Sequence, residues 1–371
     1  MGVYFLHKTT DRKLITDSNR FFYYCNYYAF FILGIYVLMI GTVLPYLLKE
    51  TGMSLTTGGT FLATQAIGNV VGGLVFPVLS DHLGRKSMLA SSPASIACGY
   101  TLVLCSNTNI SLMYFGFLLS GIGWGGINNL VNLTVSETTN GNSALLSRTH
   151  MFFALGALTA PILTTLAVSL GFGWRVSASV LILMAIFSFL AYIFVKFPAS
   201  TKHKSSFDSI NSSEYKPYDD TRRKKLKSGS SVTYIIHYMA SHSRFMLFMG
   251  VLFFYVGFEN CINGWVVTYF INSGRLSNNA AQISLSLFWI TCTAGRMLIP
   301  IIFKQKPQSF ILLNCSIGAL ISFIVMLTIP YTAVIAASIG FLGFSLASVY
   351  PVTVSSASKF IGESGLLAAL L

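Results

Sequence analysis

The stretch Gly72-Gly-Leu-Val-Phe-Pro-Val-Leu-Ser-Asp81-His-Leu-Gly84-Arg85-Lys86 joins an apolar, glycine-rich run directly to a charged turn. Such a junction is typical of a membrane helix that leaves the bilayer, because small residues let a neighbouring helix approach closely. At its end Asp81 can accept hydrogen bonds and Gly84 can adopt a positive φ. Arg85 and Lys86 favour the cytoplasmic side. The stretch therefore predicts a turn between two membrane helices.

The composition agrees with a membrane protein. Hydrophobic residues make up 54% of the 371 residues and charged residues only 9%, whereas soluble domains carry roughly 25% charged residues. The net charge of +13 comes from basic residues between apolar runs, which is typical of cytoplasmic loops and argues against nucleic-acid binding. The six cysteines form no C-x-x-C pair, so we expect no metal, no cofactor and no disulfide framework.

Runs long enough to cross a bilayer need about 20 mostly apolar residues. The chain contains ten of them, near 21–48, 55–80, 87–106, 111–136, 147–171, 174–196, 244–272, 278–303, 309–330 and 332–358. We therefore predict an all-α integral membrane protein. Its predicted parts are a cytoplasmic segment at 1–20, a six-helix bundle at 21–196, a linker at 197–243 and a second bundle at 244–371.

Basic residues predict the orientation of these segments. Lysines and arginines are concentrated in the N-terminal segment, in alternate connectors and in the 197–243 linker, while the other connectors carry at most one each. By the positive-inside rule the N-terminus and the linker are cytoplasmic. The linker's basic run either only sets this topology or also contacts anionic lipid.

The two halves of the chain are related by an offset of 222 or 223 residues. The matching pairs are Gly34 with Gly257, Gly41 with Gly264, Tyr46 with Tyr269, Gly52 with Gly274, Gly73 with Gly295, Pro77 with Pro300 and Gly121 with Gly343. Segments 1–4 thus reappear in parallel order as segments 7–10. Counterparts of the fifth and sixth segments would lie beyond Leu371, so we expect an incomplete second bundle with an eleventh helix beginning near Gly362. A fragment or a natural ten-helix form would each explain this.

The Asp81 turn resembles the loop between helices 2 and 3 of the major facilitator superfamily, whose pattern is G-x-x-x-D-x-x-G-R-K. Gly84, Arg85 and Lys86 follow Asp81 at that spacing. The resemblance implies two parallel-repeat bundles with a solute site between them near the membrane midplane. It also implies a conformational latch, in which Asp81 faces the start of helix 11. The latch would comprise Gly73, Asp81, Gly84, Arg85 and Lys86.

Polar residues in the seventh segment are the first candidates for solute binding, because charged groups inside a membrane are costly and usually functional. Glu259, Asn260 and Asn263 share one helix face by their three- and four-residue spacing. With Trp265 and Tyr269 they would form an aromatic and amide wall suited to an uncharged polar ligand such as a sugar. Packing between helices, with Glu259 paired to Arg296, is the alternative.

Other candidates lie in the first bundle and near the end of the chain. Trp124, Asn128 and Asn132 recur every four residues in the fourth segment, and Gln65 and Asn69 share a face of the second. The remaining polar candidates are Asn26, His150 and Tyr350. Glu259 and His150 are the candidates for coupling to an ion.

The run from Asn128 to Pro161, with Tyr255-x-x-x-Glu259 and Trp265-x-x-Thr268-Tyr269, resembles the fucose–proton symporter-like sugar porters. This implies a sugar substrate and alternating access. Bacterial fucose porters carry acids in helices 1 and 4, where this chain has Gly41 and Trp124, so that coupling chemistry does not carry over.

The leading hypothesis is a secondary transporter of a small polar solute, either coupled to protons or sodium or acting by facilitated diffusion. We expect a monomer in contact with membrane lipid, in the plasma membrane or an organelle membrane, with no catalytic residues. The alternative is a non-transporting receptor or sensor, or an inactive truncated protein, on the same fold.

Overall fold

A computed structural model describes residues 17–139, 143–197, 243–303, 305–353 and 356, which form helices and connecting turns with no strand among them. The helices are α1 Asp17–Thr51, α2 Leu55–Leu83, α3 Arg85–Cys105, α4 Ile110–Thr139, α5 Ser143–Ser169, α6 Trp174–Phe194, α7 Ser243–Asn272, α8 Asn278–Ile302, α9 Gln308–Thr328 and α10 Thr332–Leu346. Ten helical spans within the described residues are long and apolar enough to cross a membrane. The predicted fold class is confirmed.

Local sequence accounts for the helix ends. Gly84 separates α2 from α3 and has φ +89°, as predicted from its place in the charged turn. The Ser54 hydroxyl accepts a hydrogen bond from the Thr57 amide at 3.1 Å and caps the start of α2. The Asn109 side chain accepts one from the Leu112 amide at 3.2 Å at the start of α4. Each of these connections is short, so consecutive helices run antiparallel.

Glycines let α2 and α4 touch along their backbones. A Cβ on Gly72 would lie 2.8 Å from the Ile122 Cα and against its carbonyl oxygen, and one on Gly125 would lie 2.9 Å from the Gly72 carbonyl carbon. The Asn129 side-chain amide donates to the Gly73 carbonyl at 2.8 Å across the same contact. The glycine-rich run that ends in the charged turn is therefore the surface by which α2 packs on α4.

The chain divides into two compact units. The first comprises Met1–Lys202 with Asn263–Ile290, and the second comprises His203–Ile262 with Thr291–Leu371. Helices α7 and α8 therefore contribute to both units. In the first unit α1 is almost wholly buried and packs against α4, α5 and α6, while α4 also packs against α2 and α3.

In the second unit α9 packs against α10. The Phe258 and Phe323 rings, 5.1 Å apart, join α7 to α9. Gly295 joins α8 to α10, since a Cβ there would lie 2.7 Å from the Ala347 Cβ and 2.8 Å from the Phe344 carbonyl oxygen.

The tenth predicted segment, 332–358, is not one continuous helix. Helix α10 ends at Leu346, residues 347–348 form a turn, and helical structure resumes over 349–353. The physical reason is Pro351, which has no amide hydrogen to give to the Ala347 carbonyl four residues earlier. The predicted N-terminal segment and linker lie almost entirely outside the described residues, as does the expected start of helix 11. The predicted domain boundaries stay a prediction.

We predict that Gly125→Ala lowers the thermal stability of the protein. The added methyl would press on the Gly72 backbone, and overpacking of this kind costs about 1–3 kcal/mol. The measurement is the melting temperature in detergent, followed by size-exclusion chromatography. Gly250→Ala is the control, because a Cβ at Gly250 meets nothing within 4 Å. Equal melting temperatures for the two variants would contradict the role of the α2–α4 contact.

Candidate functional site

On α4 the three candidates spaced by four residues are neither fully buried nor fully exposed. Trp124, Asn128 and Asn132 are all partly exposed, and the Trp124 ring lies 6.2 Å from the buried Tyr36 ring of α1. The Asn132 carbonyl oxygen is buried without a hydrogen-bond partner. The Asn128 side-chain amide donates a hydrogen bond to the Asn129 side-chain oxygen at 3.4 Å. This face therefore keeps amide groups that a solute could use.

Gln65 and Asn69 of α2 have different surroundings. Asn69 is partly exposed, whereas Gln65 is only 3% exposed and its amide nitrogen has no partner. Gln65 is a hydrogen-bonding neighbour of Tyr36, whose hydroxyl also lies 3.2 Å from the Ser120 hydroxyl. Sequence reasoning missed Tyr36, although one tyrosine in an otherwise apolar stretch of α1 was a signal for such a network.

Three candidates on α7 belong to the first unit. The Asn263 carbonyl oxygen accepts a hydrogen bond from the Trp289 indole of α8 at 3.1 Å. The Trp265 ring fills the space beside Gly59 of α2, 3.3 Å from where a Cβ would lie there. Tyr269 is 40% exposed, and its hydroxyl lies 3.4 Å from an Arg275 guanidinium nitrogen. Asn263 is thus held by the fold, while Trp265 and Tyr269 remain partly accessible.

The same unit contains a contact that the sequence did not suggest. The Gln282 amide of α8 donates to the Thr42 carbonyl of α1 at 2.7 Å, and Gln282 is fully buried. Tyr46 of α1 is a second hydrogen-bonding neighbour of Gln282. The repeat-related glycines Gly41 and Gly264 also meet here, with 3.1 Å between the Cβ position of Gly41 and the Gly264 Cα. The segments of α7 and α8 in this unit are therefore bound tightly to α1.

The remaining candidates belong to the second unit. Glu259 is partly buried, has a hydrogen bond with Tyr255, and has Arg296 of α8 as its charged neighbour. Tyr255 and Arg296 lie outside the predicted solute site, but the pairing of Glu259 with Arg296 is the packing alternative raised from the sequence. Asn260 is exposed and its amide bonds the Val256 carbonyl of its own helix at 2.8 Å. The Tyr350 ring lies 6.0 Å from the Tyr255 ring.

His150, the second coupling candidate, lies near the start of α5. Its side chain is exposed, and its ring packs edge-on against Phe30 of α1 at 5.2 Å. Asn26 of α1 is fully buried, and its carbonyl oxygen accepts a hydrogen bond from the Tyr192 hydroxyl of α6 at 2.8 Å. Asn26 therefore joins two helices of the first unit.

Among the predicted latch residues, Asp81 and Arg85 form an ion pair. The Arg85 guanidinium contacts the Asp81 carboxylate at 3.0 Å and the Glu137 carboxylate of α4 at 2.9 Å. It also bonds the Ser80 hydroxyl and, at 3.4 Å, the Pro77 carbonyl. Arg85 thus braces the α2–α3 turn against α4. The expected partner of Asp81 in helix 11 lies outside the described residues, so the latching role stays a prediction.

The eleven predicted solute-binding residues are therefore divided between the units. The first unit contains the α4 face, Gln65, Asn69 and the three α7 residues from Asn263 onward, and none of these is charged. The second unit contains Glu259, Asn260 and Tyr350.

Comparison with known proteins identifies the family. The model of the Major Facilitator Superfamily matches residues 26–371. The chain belongs to this superfamily and is a secondary membrane transporter. The superfamily membership predicted from the sequence is confirmed.

Two curated relatives and one solved structure show the range of similarity. The chain is 23% identical over 341 residues to the glucose/mannose transporter GlcP of Bacillus subtilis (strain 168), covering 91% of this chain and 80% of GlcP. It is 27% identical over 288 residues to sodium-dependent glucose transporter 1 of Xenopus laevis. That match covers 68% of this chain and 52% of the Xenopus laevis protein. A crystal structure of a D-xylose–proton symporter matches with a TM-score of 0.67 and 14% identity, covering 94% of this chain and 85% of that one. The last similarity shows the fold.

We predict that Gln282→Glu loosens the contact between α8 and α1, because a carboxylate would face the Thr42 carbonyl in a buried position. The measurement is maleimide labelling of a cysteine placed at the buried Thr268 in a cysteine-free background. We expect labelling to become at least severalfold faster.

Ser284→Ala is the matched control for Gln282→Glu. Ser284 is also buried on α8, but its hydroxyl bonds only the Ala281 carbonyl of its own helix at 2.7 Å. Labelling that is equally slow in both variants would show that Gln282 does not hold these segments together.

Proposed function

We propose that this protein moves a sugar-like solute across a membrane by alternating access. The proposal rests on the uncharged character of the candidate residues in the first unit. These residues include partly exposed amides and partly exposed tryptophans. Amide groups exchange hydrogen bonds with solute hydroxyls, while an indole ring covers the apolar face of a sugar. A fixed charge, which a neutral solute would leave unpaired, is missing from this set within the described residues.

The relatives support the same class of solute. The curated relative named as a glucose/mannose transporter spans 91% of this chain, and a D-xylose–proton symporter shares its fold. We further propose that the N-terminus faces the cytoplasm and that the protein works as a monomer in contact with lipid. Basic residues at alternate connectors support this orientation.

We predict that Asn128→Ala raises the KM for D-glucose. The loss of one solute hydrogen bond costs about 0.5–1.5 kcal/mol, which corresponds to a roughly 2- to 13-fold change. The measurement is counterflow of radiolabelled D-glucose, D-mannose and D-xylose into proteoliposomes that contain the full chain. Asn314→Ala is the control, since the Asn314 amide is exposed on α9 and bonds its own helix at the Phe310 carbonyl.

Counterflow equal to that of empty vesicles for all three sugars, with the protein correctly inserted, would overturn the proposed function. That result would favour a receptor or sensor on the transporter fold. Equal KM values for Asn128→Ala and the wild type would remove α4 from the solute site.

A further inference from the structure

A buried tyrosine of α1 is fixed in the first unit by its hydroxyl group. Tyr36 is fully buried, and its hydroxyl donates a hydrogen bond at 3.2 Å to the hydroxyl of Ser120, which is fully buried on α4. The Ser120 hydroxyl donates in turn to the Phe117 carbonyl of its own helix at 3.0 Å. Since both hydroxyl hydrogens are committed, the polar end of Tyr36 is tied to one position on α4.

The partner of Tyr36 is itself held in place. A Cβ on Gly99 of α3 would lie 2.7 Å from both the Cβ and the amide nitrogen of Ser120, so α3 presses directly on this residue of α4. The next residue on α3, Tyr100, packs edge-on against Tyr36 with 5.7 Å between the ring centroids. Three helices therefore meet at the hydrogen bond between Tyr36 and Ser120 and fix the Tyr36 ring.

This ring contacts a residue of the candidate solute site. Trp124 follows Ser120 by four residues on α4, so the two share a helix face. The Trp124 ring meets the Tyr36 ring at 60° with 6.2 Å between centroids, which is a favourable edge-to-face arrangement. Because Tyr36 is buried and Trp124 is partly exposed, the pair joins the packed interior to an accessible indole.

The main chain on either side of Trp124 has little freedom. A Cβ on Gly123 would lie 3.0 Å from the Ile96 amide nitrogen of α3, and one on Gly125 would lie 2.9 Å from the Gly72 carbonyl carbon of α2. The freedom that remains to Trp124 is therefore rotation of its side chain. The edge-to-face ring contact restricts that rotation.

We infer that Tyr36 is a positioning residue of the solute site, and that its bond to Ser120 holds the Trp124 indole in the orientation that covers the apolar face of a sugar. The inference rests on the proposed transport function. Tyr36 is buried away from the solute, so its effect passes through Trp124. An indole that is already ordered loses less conformational freedom when the sugar binds. Loss of the Tyr36 hydroxyl therefore weakens solute binding.

The experiment measures counterflow of D-glucose in proteoliposomes that contain the full chain. Tyr36→Phe keeps the ring and removes only the hydroxyl. We expect its KM for D-glucose to rise about 2- to 13-fold, the range that corresponds to one hydrogen bond, while the maximal rate is unchanged. Ser120→Ala removes the same bond from the other side and should raise KM to a similar extent.

A double-mutant cycle tests whether Tyr36 acts through Trp124. Trp124→Ala removes the indole, so the addition of Tyr36→Phe should not raise KM any further. The same fold increase with and without the indole would overturn the positioning role, because Tyr36 would then act independently of Trp124.

Two other tyrosines are matched controls. Tyr100→Phe makes the same change beside Tyr36, but the Tyr100 hydroxyl has no hydrogen-bond partner among the described residues. Tyr192→Phe removes a buried hydrogen bond of 2.8 Å to Asn26. We expect both variants to keep the wild-type KM, and Tyr192→Phe to melt at a lower temperature. A KM increase in either control as large as that of Tyr36→Phe would overturn the positioning role.

A second measurement follows the indole directly and needs no transport. The full chain is labelled with 5-fluorotryptophan in detergent, and Trp124→Phe assigns the fluorine resonance of Trp124. We expect Tyr36→Phe to shift or broaden this resonance, because the ring loses its fixed neighbour. The resonance of Trp174, on α6, should stay where it is.

The outcomes separate the two proposals. An unchanged Trp124 resonance or an unchanged KM in Tyr36→Phe would overturn the positioning role and leave the transport proposal intact. Absence of wild-type counterflow for D-glucose, D-mannose and D-xylose would overturn the transport proposal, and the role of Tyr36 in solute binding with it, whatever the resonance shows.

Discussion

The structure depends on one constraint: inside a bilayer each polar group must find its partner within the protein. Helices satisfy this requirement for the backbone, so the described residues form helices of membrane length. Helices can then pack closely only where side chains are small, which explains the backbone contact between α2 and α4 at Gly72 and Gly125. The polar side chains that remain are either tied to a neighbour or left available.

Polar side chains with a partner on another helix and polar side chains that keep accessible surface have different roles in the first unit. Asn26, Asn129 and Asn263 each have a partner on another helix, so they hold helices together. Trp124, Asn128 and Asn132 keep accessible surface, and the Asn132 carbonyl is unpartnered. Asparagine in these helices therefore serves packing in one place, while in another it is left available for the solute recognition that we propose. Charge differs between the two units: Glu259, a carboxylate within a membrane span, belongs to the second unit, where Arg296 is its charged neighbour.

Repeat-related positions have acquired different roles in this fold. Gly41 and Gly264, equivalent in the two halves, meet each other where α1 approaches α7. Gly73 and Gly295 both allow helices to approach closely, but Gly73 faces an asparagine side chain and Gly295 faces the interrupted α10. The break itself follows from Pro351. The repeat preserves the packing, while single residues such as Pro351 and Arg296 distinguish the second unit.

Local sequence is enough to predict the membrane-length helices of the described residues, the charged turn with its positive φ at Gly84, and the superfamily. These properties depend on local composition and spacing, which a linear pattern records. Tertiary structure decided which polar residues are partners, because that depends on contacts between distant segments. Gln282 bonds Thr42 across 240 positions, and Asn263 is held by Trp289, although neither partner is marked in the local pattern. The contact of Gly295 with Phe344 and Ala347 at the break in α10 also required the fold, because helix packing brings those residues together.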